Sequence, residues 1–138
     1  MMAFGDVAIP VLRAWAESVP SKCPLRTLCV RGADEAALAV LKEWLAGARV
    51  GWRLMLAGPE IDVFAARSEA VTQGAIDAEI RMFVTSADRK RIYCPHCRTV
   101  TEAVCAVGQR MPCQGCGGSL RVDAHVSRHH GAYLGVCD

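Results

Sequence analysis

Two cysteine pairs carry the clearest chemistry in the chain. Cys94-Pro95-His96-Cys97 and Cys113-Gln114-Gly115-Cys116 are both Cys-x-x-Cys, with fifteen residues between them, 98 to 112. Two thiolates at that spacing grip one metal ion from a single tight turn, and a second such turn completes a four-sulfur shell. Pro95 stiffens the first turn, and Gly115 and Gly117 open backbone angles that let amides point at the sulfurs of the second. Cys94, Cys97, Cys113 and Cys116 are therefore the expected metal ligands.

Four thiolates without histidine suit structural Zn²⁺, and the same shell also accepts a single iron, as in rubredoxins. A rubredoxin packs several aromatics around its iron, whereas residues 93 to 138 hold only Tyr93 and Tyr133. Zinc is thus the main expectation and iron the minor one. Iron–sulfur clusters favour other spacings. A closed four-sulfur zinc site has no open position for Lewis-acid catalysis.

Other candidates carry less. His125, His129 and His130 invite a second metal, but adjacent histidines do not easily face one ion, and His96 reads as a tip. Cys23, Cys29, Cys105 and Cys137 lack motif spacing and read as ordinary reduced thiols. Catalytic motifs are missing: no Gly-x-Ser-x-Gly, no His-Glu-x-x-His, no phosphate loop. No catalytic or cofactor-binding residue is assigned. Glu60 and Asp62 open a helix, where acids suit the dipole in any case.

The elements that position the cysteines follow from periodicity. Thr27 to Val30 reads as a short buried strand, and Asp34 caps an amphipathic helix to Ala46. Val50, Trp52, Leu54 and Leu56 alternate as a strand, Ile61 to Val71 repeats as a helix, and Ile80 to Val84 alternates again. The expected fold class is α/β: a small three-stranded parallel sheet, half of a Rossmann-like unit, with flanking helices and a C-terminal zinc ribbon. Residues 1–26 are expected to form an N-terminal arm with one short helix over 11–18, residues 27–88 the α/β domain and 89–138 the ribbon. In the ribbon, Val100 to Val107 should form a hairpin bearing both metal turns, with Leu120 to Val126 as a third strand. The loop at Arg31-Gly32-Ala33-Asp34 has one glycine and an acid where a phosphate cradle wants three glycines and no acid, so the sheet reads as structural.

Composition sets outer limits. A 52% hydrophobic, 22% charged chain is globular rather than disordered. Residues 1–88 hold nine Lys/Arg against eleven Asp/Glu, net −2, and residues 89–138 seven against three, net +4. A dication on four thiolates lowers the latter to about +2, too little to argue for nucleic acid. No apolar run is long enough to span a membrane. The first six residues lack a signal peptide's basic start and apolar run, and metal-paired cysteines suit a reducing compartment, so a cytoplasmic location is expected.

One combination is more specific. The strand Ile80-Arg81-Met82-Phe83-Val84-Thr85, the turn Tyr93-Cys94-Pro95-His96-Cys97, the segment Pro112-Cys113-x-x-Cys116-Gly117, and the ending His125-x-Ser127-Arg128-x-x-Gly131-Ala132-Tyr133-Leu134-Gly135 stand in order. Together they resemble the dimethylamine monooxygenase subunit DmmA-like family, chiefly over residues 78 to 137. The resemblance implies a small accessory subunit of a multi-subunit monooxygenase that uses NADPH and O2 to demethylate dimethylamine to methylamine and formaldehyde. Haem, FMN and iron–sulfur centres would then sit on partners, a catalytic haem subunit and a flavin/iron–sulfur reductase subunit. Two alternatives stay open: a rubredoxin-like electron carrier, and a zinc ribbon that binds nucleic acid. Aromatic stacking groups are sparse for the second. Ser127, Arg128 and Tyr133 either face a partner subunit or simply close a hairpin.

Overall fold

The computed structural model describes residues 1–137. The chain opens with a three-residue strand, β1 (Met2–Phe4), and a helix, α1 (Ile9–Ser18). Then come β2 (Leu28–Val30), α2 (Glu35–Ala46), β3 (Leu54–Gly58), α3 (Glu60–Thr72) and β4 (Ile80–Val84). The four strands form one parallel sheet in the order β2-β1-β3-β4.

The sheet has four strands rather than the expected three, and the expected arm supplies the missing one. β1 is an inner strand, with Met2, Ala3 and Phe4 fully buried. A strand covered on both faces does not alternate, and three residues are too few to make a run. The step from β1 to β2 runs one way along the sheet and the step from β2 to β3 runs back. Right-handed crossovers in opposite directions place their helices on opposite faces. Accordingly Leu12 and Trp15 of α1 pack with Ala3 and Ala57 on one face. Leu41 of α2 and Val63 of α3 pack with Met2, Phe4, Leu54, Leu56 and Ile80 on the other. The third strand also begins later than expected. Val50 is fully exposed beside Gly51, whose φ is 95°, and the strand starts at Leu54.

The end of α2 that faces the loops is already occupied. Asp34 accepts from the Ala37 amide at 2.8 Å and Asp62 from the Ala33 amide at 2.8 Å. Carboxylates therefore take the amides that a phosphate would use.

The remaining strands are β5 (Arg89–Tyr93), β6 (Val100–Val104), β7 (Arg110–Pro112), β8 (Ser119–Ser127) and β9 (Ala132–Cys137). They form a second sheet in the order β6-β5-β9-β8-β7. β5 pairs antiparallel with β6, and β7 with β8, while β9 lies between the two hairpins, parallel to β5 and antiparallel to β8. The single hairpin expected between the cysteine pairs is thus two hairpins. The stretch after Gly131, for which no strand was expected, is the central strand. Ile92, Leu120 and Val122 fill its core together with Cys94 and Cys113.

Candidate metal centre

Each cysteine pair sits in the turn of its own hairpin, and the two turns are built alike. In the first, the Cys94 amide donates to Thr99 O at 2.9 Å and the Arg98 amide to Cys94 O at 2.8 Å. In the second, Cys113 N donates to Gly118 O at 2.8 Å and Gly117 N to Cys113 O at 2.9 Å. The fifth residue of each turn is left-handed, Arg98 at φ 63° and Gly117 at φ 70°. Arg98 is the only non-glycine at positive φ among the described residues.

The two turns face each other across the sheet end. Cys97 Sγ lies 3.4 Å from Cys113 Sγ, and Cys94 Sγ 3.9 Å from Cys116 Sγ. All four sulfurs fall within 4.8 Å of one another, and none is in a disulfide. Sulfurs about 2.3 Å from a central ion stand about 3.8 Å apart, so the cluster fits one zinc- or iron-sized ion. Cys94 and Cys113 are buried, and Cys116 is exposed.

The surrounding groups favour thiolates. Hydrogen bonds from the Thr99 hydroxyl and amide bring the Cys97 thiol down to about 6. The Cys116 and Gly115 amides lower Cys113, and Gly115 N lies 3.3 Å from its sulfur. Cys94 goes the other way. The Cys97 amide pulls it down, but burial and the neighbouring sulfurs carry it up to about 12. Four sulfurs this close do not all ionise alone; a dication is what lets them. Gly115 is required by space. A Cβ there would come within 2.3 Å of Thr99 Oγ1 and 2.9 Å of Cys97 Sγ.

Among the described residues this is the sole group of three or more ligand-type side chains close enough to share an ion. The histidines go elsewhere. His130 stacks on Tyr93 at 3.8 Å, His129 meets His130 edge-on, and His125 and His96 are exposed.

Residues 91–136 match a family model, the C-terminal domain of the dimethylamine monooxygenase subunit DmmA-like family. This stretch is similar to that family's C-terminal domain. The chain is also 39% identical, over 98 residues, to the "Heme-dependent oxidative N-demethylase delta subunit" of Ectopseudomonas mendocina (strain ymp). The match covers 71% of this chain and 55% of the relative, so the chain spans about half of that protein's length. No solved structure matches.

The ending that carried the resemblance turns inward. The turn between β8 and β9 lies against α3. Arg67 Nη1 donates to Arg128 O at 2.9 Å and Ser68 Oγ to His129 O at 2.6 Å. Arg67 and Arg128 also share the Asp77 carboxylate. Gly131, at φ 53°, touches the helix so closely that a Cβ would lie 2.2 Å from Phe64 O. Tyr133 donates to Glu60 at 2.9 Å, and Lys90 meets the same carboxylate at 3.2 Å while lying over the Tyr133 ring. Both charges are about 90% buried. Burial, then the Glu60 bond, carries the Tyr133 hydroxyl up to about 12. The pairings of Glu60, Lys90 and Arg67 escaped the sequence reading, because their partners lie 10 to 73 residues away.

Proposed function

We infer that the chain is a non-catalytic, zinc-binding accessory subunit of a haem-dependent oxidative N-demethylase. On this reading Cys94, Cys97, Cys113 and Cys116 hold one structural Zn²⁺, which closes a zinc ribbon. The ion supplies folding free energy and, being fully ligated by sulfur, no reaction centre. The observation that carries the reading is the four-sulfur cluster, closed within 4.8 Å, inside a domain matched to a subunit family. The chain's own residues do structural tasks. Thr99 and the turn amides orient sulfurs, and Glu60, Lys90 and Tyr133 hold the ribbon on α3.

Oxidative demethylation of dimethylamine with NADPH and O2 then belongs to a haem subunit and a flavin/iron–sulfur reductase subunit, which this chain helps to assemble in the cytoplasm. The test is co-expression with those subunits, pull-down and metal analysis of the product. One zinc per chain and retention of a haem protein are expected. A chain that stays monomeric beside them overturns the reading. An absorption spectrum separates the iron-carrier alternative, since ferric thiolate is red and zinc thiolate colourless.

A further inference from the structure

The cysteine-bearing sheet leaves one edge of the first sheet open. β4 is an edge strand, paired with β3 in unbroken register over five residues. The opposite edge, β2, has only three residues. Thr85 N donates to Gly58 O at 2.8 Å, toward β3. Alternation then turns the amides and carbonyls of Arg81 and Phe83 inward too, and those of Met82 and Val84 outward. The open edge is apolar: Met82 is 43% exposed, Phe83 48% and Val84 40%. Long apolar edges are ordinarily blunted by lysine, proline, a bulge or a covering element. β4 has one charge, Arg81, and no proline.

Beside this edge runs a slot of about 320 Å³ between β4 and the β8–β9 turn. Its apolar walls are Phe64, Ile80, Met82 and Val126, and Arg67, Asp77 and Arg128 line it as well. The two guanidiniums share one carboxylate, Asp77, which leaves a positive charge over. Glu79 does not line the slot; its carboxylate accepts from the Ile76 amide at 3.0 Å. The Arg128 side chain is 76% exposed, so its fork is open to a second carboxylate.

The geometry points to an extended, acidic segment of a partner polypeptide that adds to β4 as a fifth strand. Its backbone pairs with Met82 and Val84, alternate apolar side chains enter the slot, and a carboxylate meets Arg128. A second copy pairing through the same edge would present its own β4, which carries Arg81 and no acid. The inference rests on the proposed membership of a multi-subunit complex and names the surface used.

The experiment is hydrogen exchange on the full, metal-loaded chain, alone and in complex with the co-expressed haem and reductase subunits. The Met82 and Val84 amides are expected to slow in the complex. Val84→Pro removes an outward amide and no internal bond, as an edge strand tolerates. Met82→Glu sets a negative charge against an incoming acid. Each folded variant, checked by metal content and circular dichroism, is expected to weaken the complex about tenfold or more. If Val84→Pro does not fold, Met82→Glu carries the test alone. A complex that forms while both amides exchange freely overturns this inference and spares the proposed function. Folded variants that bind like the parent do the same. Protection that grows with concentration in the isolated chain assigns the edge to a second copy and overturns the acidic partner. Failure to form any complex overturns both proposals.

Discussion

Gly131→Ala tests how the two sheets are joined. The native residue stands at φ 53°, where an alanine costs about 1–2 kcal/mol. The added methyl also meets backbone, 2.2 Å from Phe64 O and 3.0 Å from Phe64 C, which no rotamer change relieves. The β8–β9 turn must therefore lift from α3. Lifting breaks the Arg67–Arg128 O and Ser68–His129 O hydrogen bonds, each contributing about 1 kcal/mol. The expected loss is about 3–4 kcal/mol. Gly108→Ala is the control. Gly108 has φ 85° and nothing within 4 Å of its added Cβ, so it carries the conformational cost alone, about 1–2 kcal/mol. Urea unfolding of the metal-loaded variants gives both values at unchanged slope. Hydrogen exchange should show faster opening around α3 in Gly131→Ala only. Equal losses in the two variants would refute the claim that the turn is pressed onto the helix.

Three further outcomes follow from the same contacts. Chelation should melt the cysteine-bearing sheet and leave the first sheet largely folded, because six-membered cores such as that around Ile92, Leu120 and Val122 hold a small module poorly without the ion; amide spectra of the stripped chain check this. Lys90→Met should cost about 3–5 kcal/mol, since it strands the Glu60 charge in a buried place, whereas Lys90→Met with Glu60→Leu should recover part of that in a denaturation cycle. Tyr133 binds its proton more tightly when folded than when unfolded, so stability present below pH 10 should fall as pH rises toward 12. The solvent-screened loss is about 1 kcal/mol, and comparison with Tyr133→Phe across pH 9 to 12 isolates it.

The gathering of the four cysteines was legible because its rule is local. Each turn needs only a few neighbouring residues, and glycine at 115 and 117 announces the tight backbone. The helices were legible through their repeats, as with Asp34 capping α2. What escaped depends on distant pairing. Met2–Phe4 gains its place only from β2 and β3, and Ala132–Cys137 only from β5 and β8. Glu60 looked like an acid suited to a helix start, and nothing near Lys90 in the sequence marks it for burial. Their burial as a pair requires both sheets to be in place.

The central place of β9 fixes an order of events. β5 and β8 are not neighbours, and β9 lies between them. A nascent chain that ends before Ala132 holds two separate hairpins, each with half of the sulfur set. Nothing in their backbones registers one against the other. β9 brings the halves together, so on the zinc-ribbon reading capture of the ion needs that strand to have been made. A truncated chain would instead carry two loose dithiols, which oxidants and thiol-scavenging enzymes can reach.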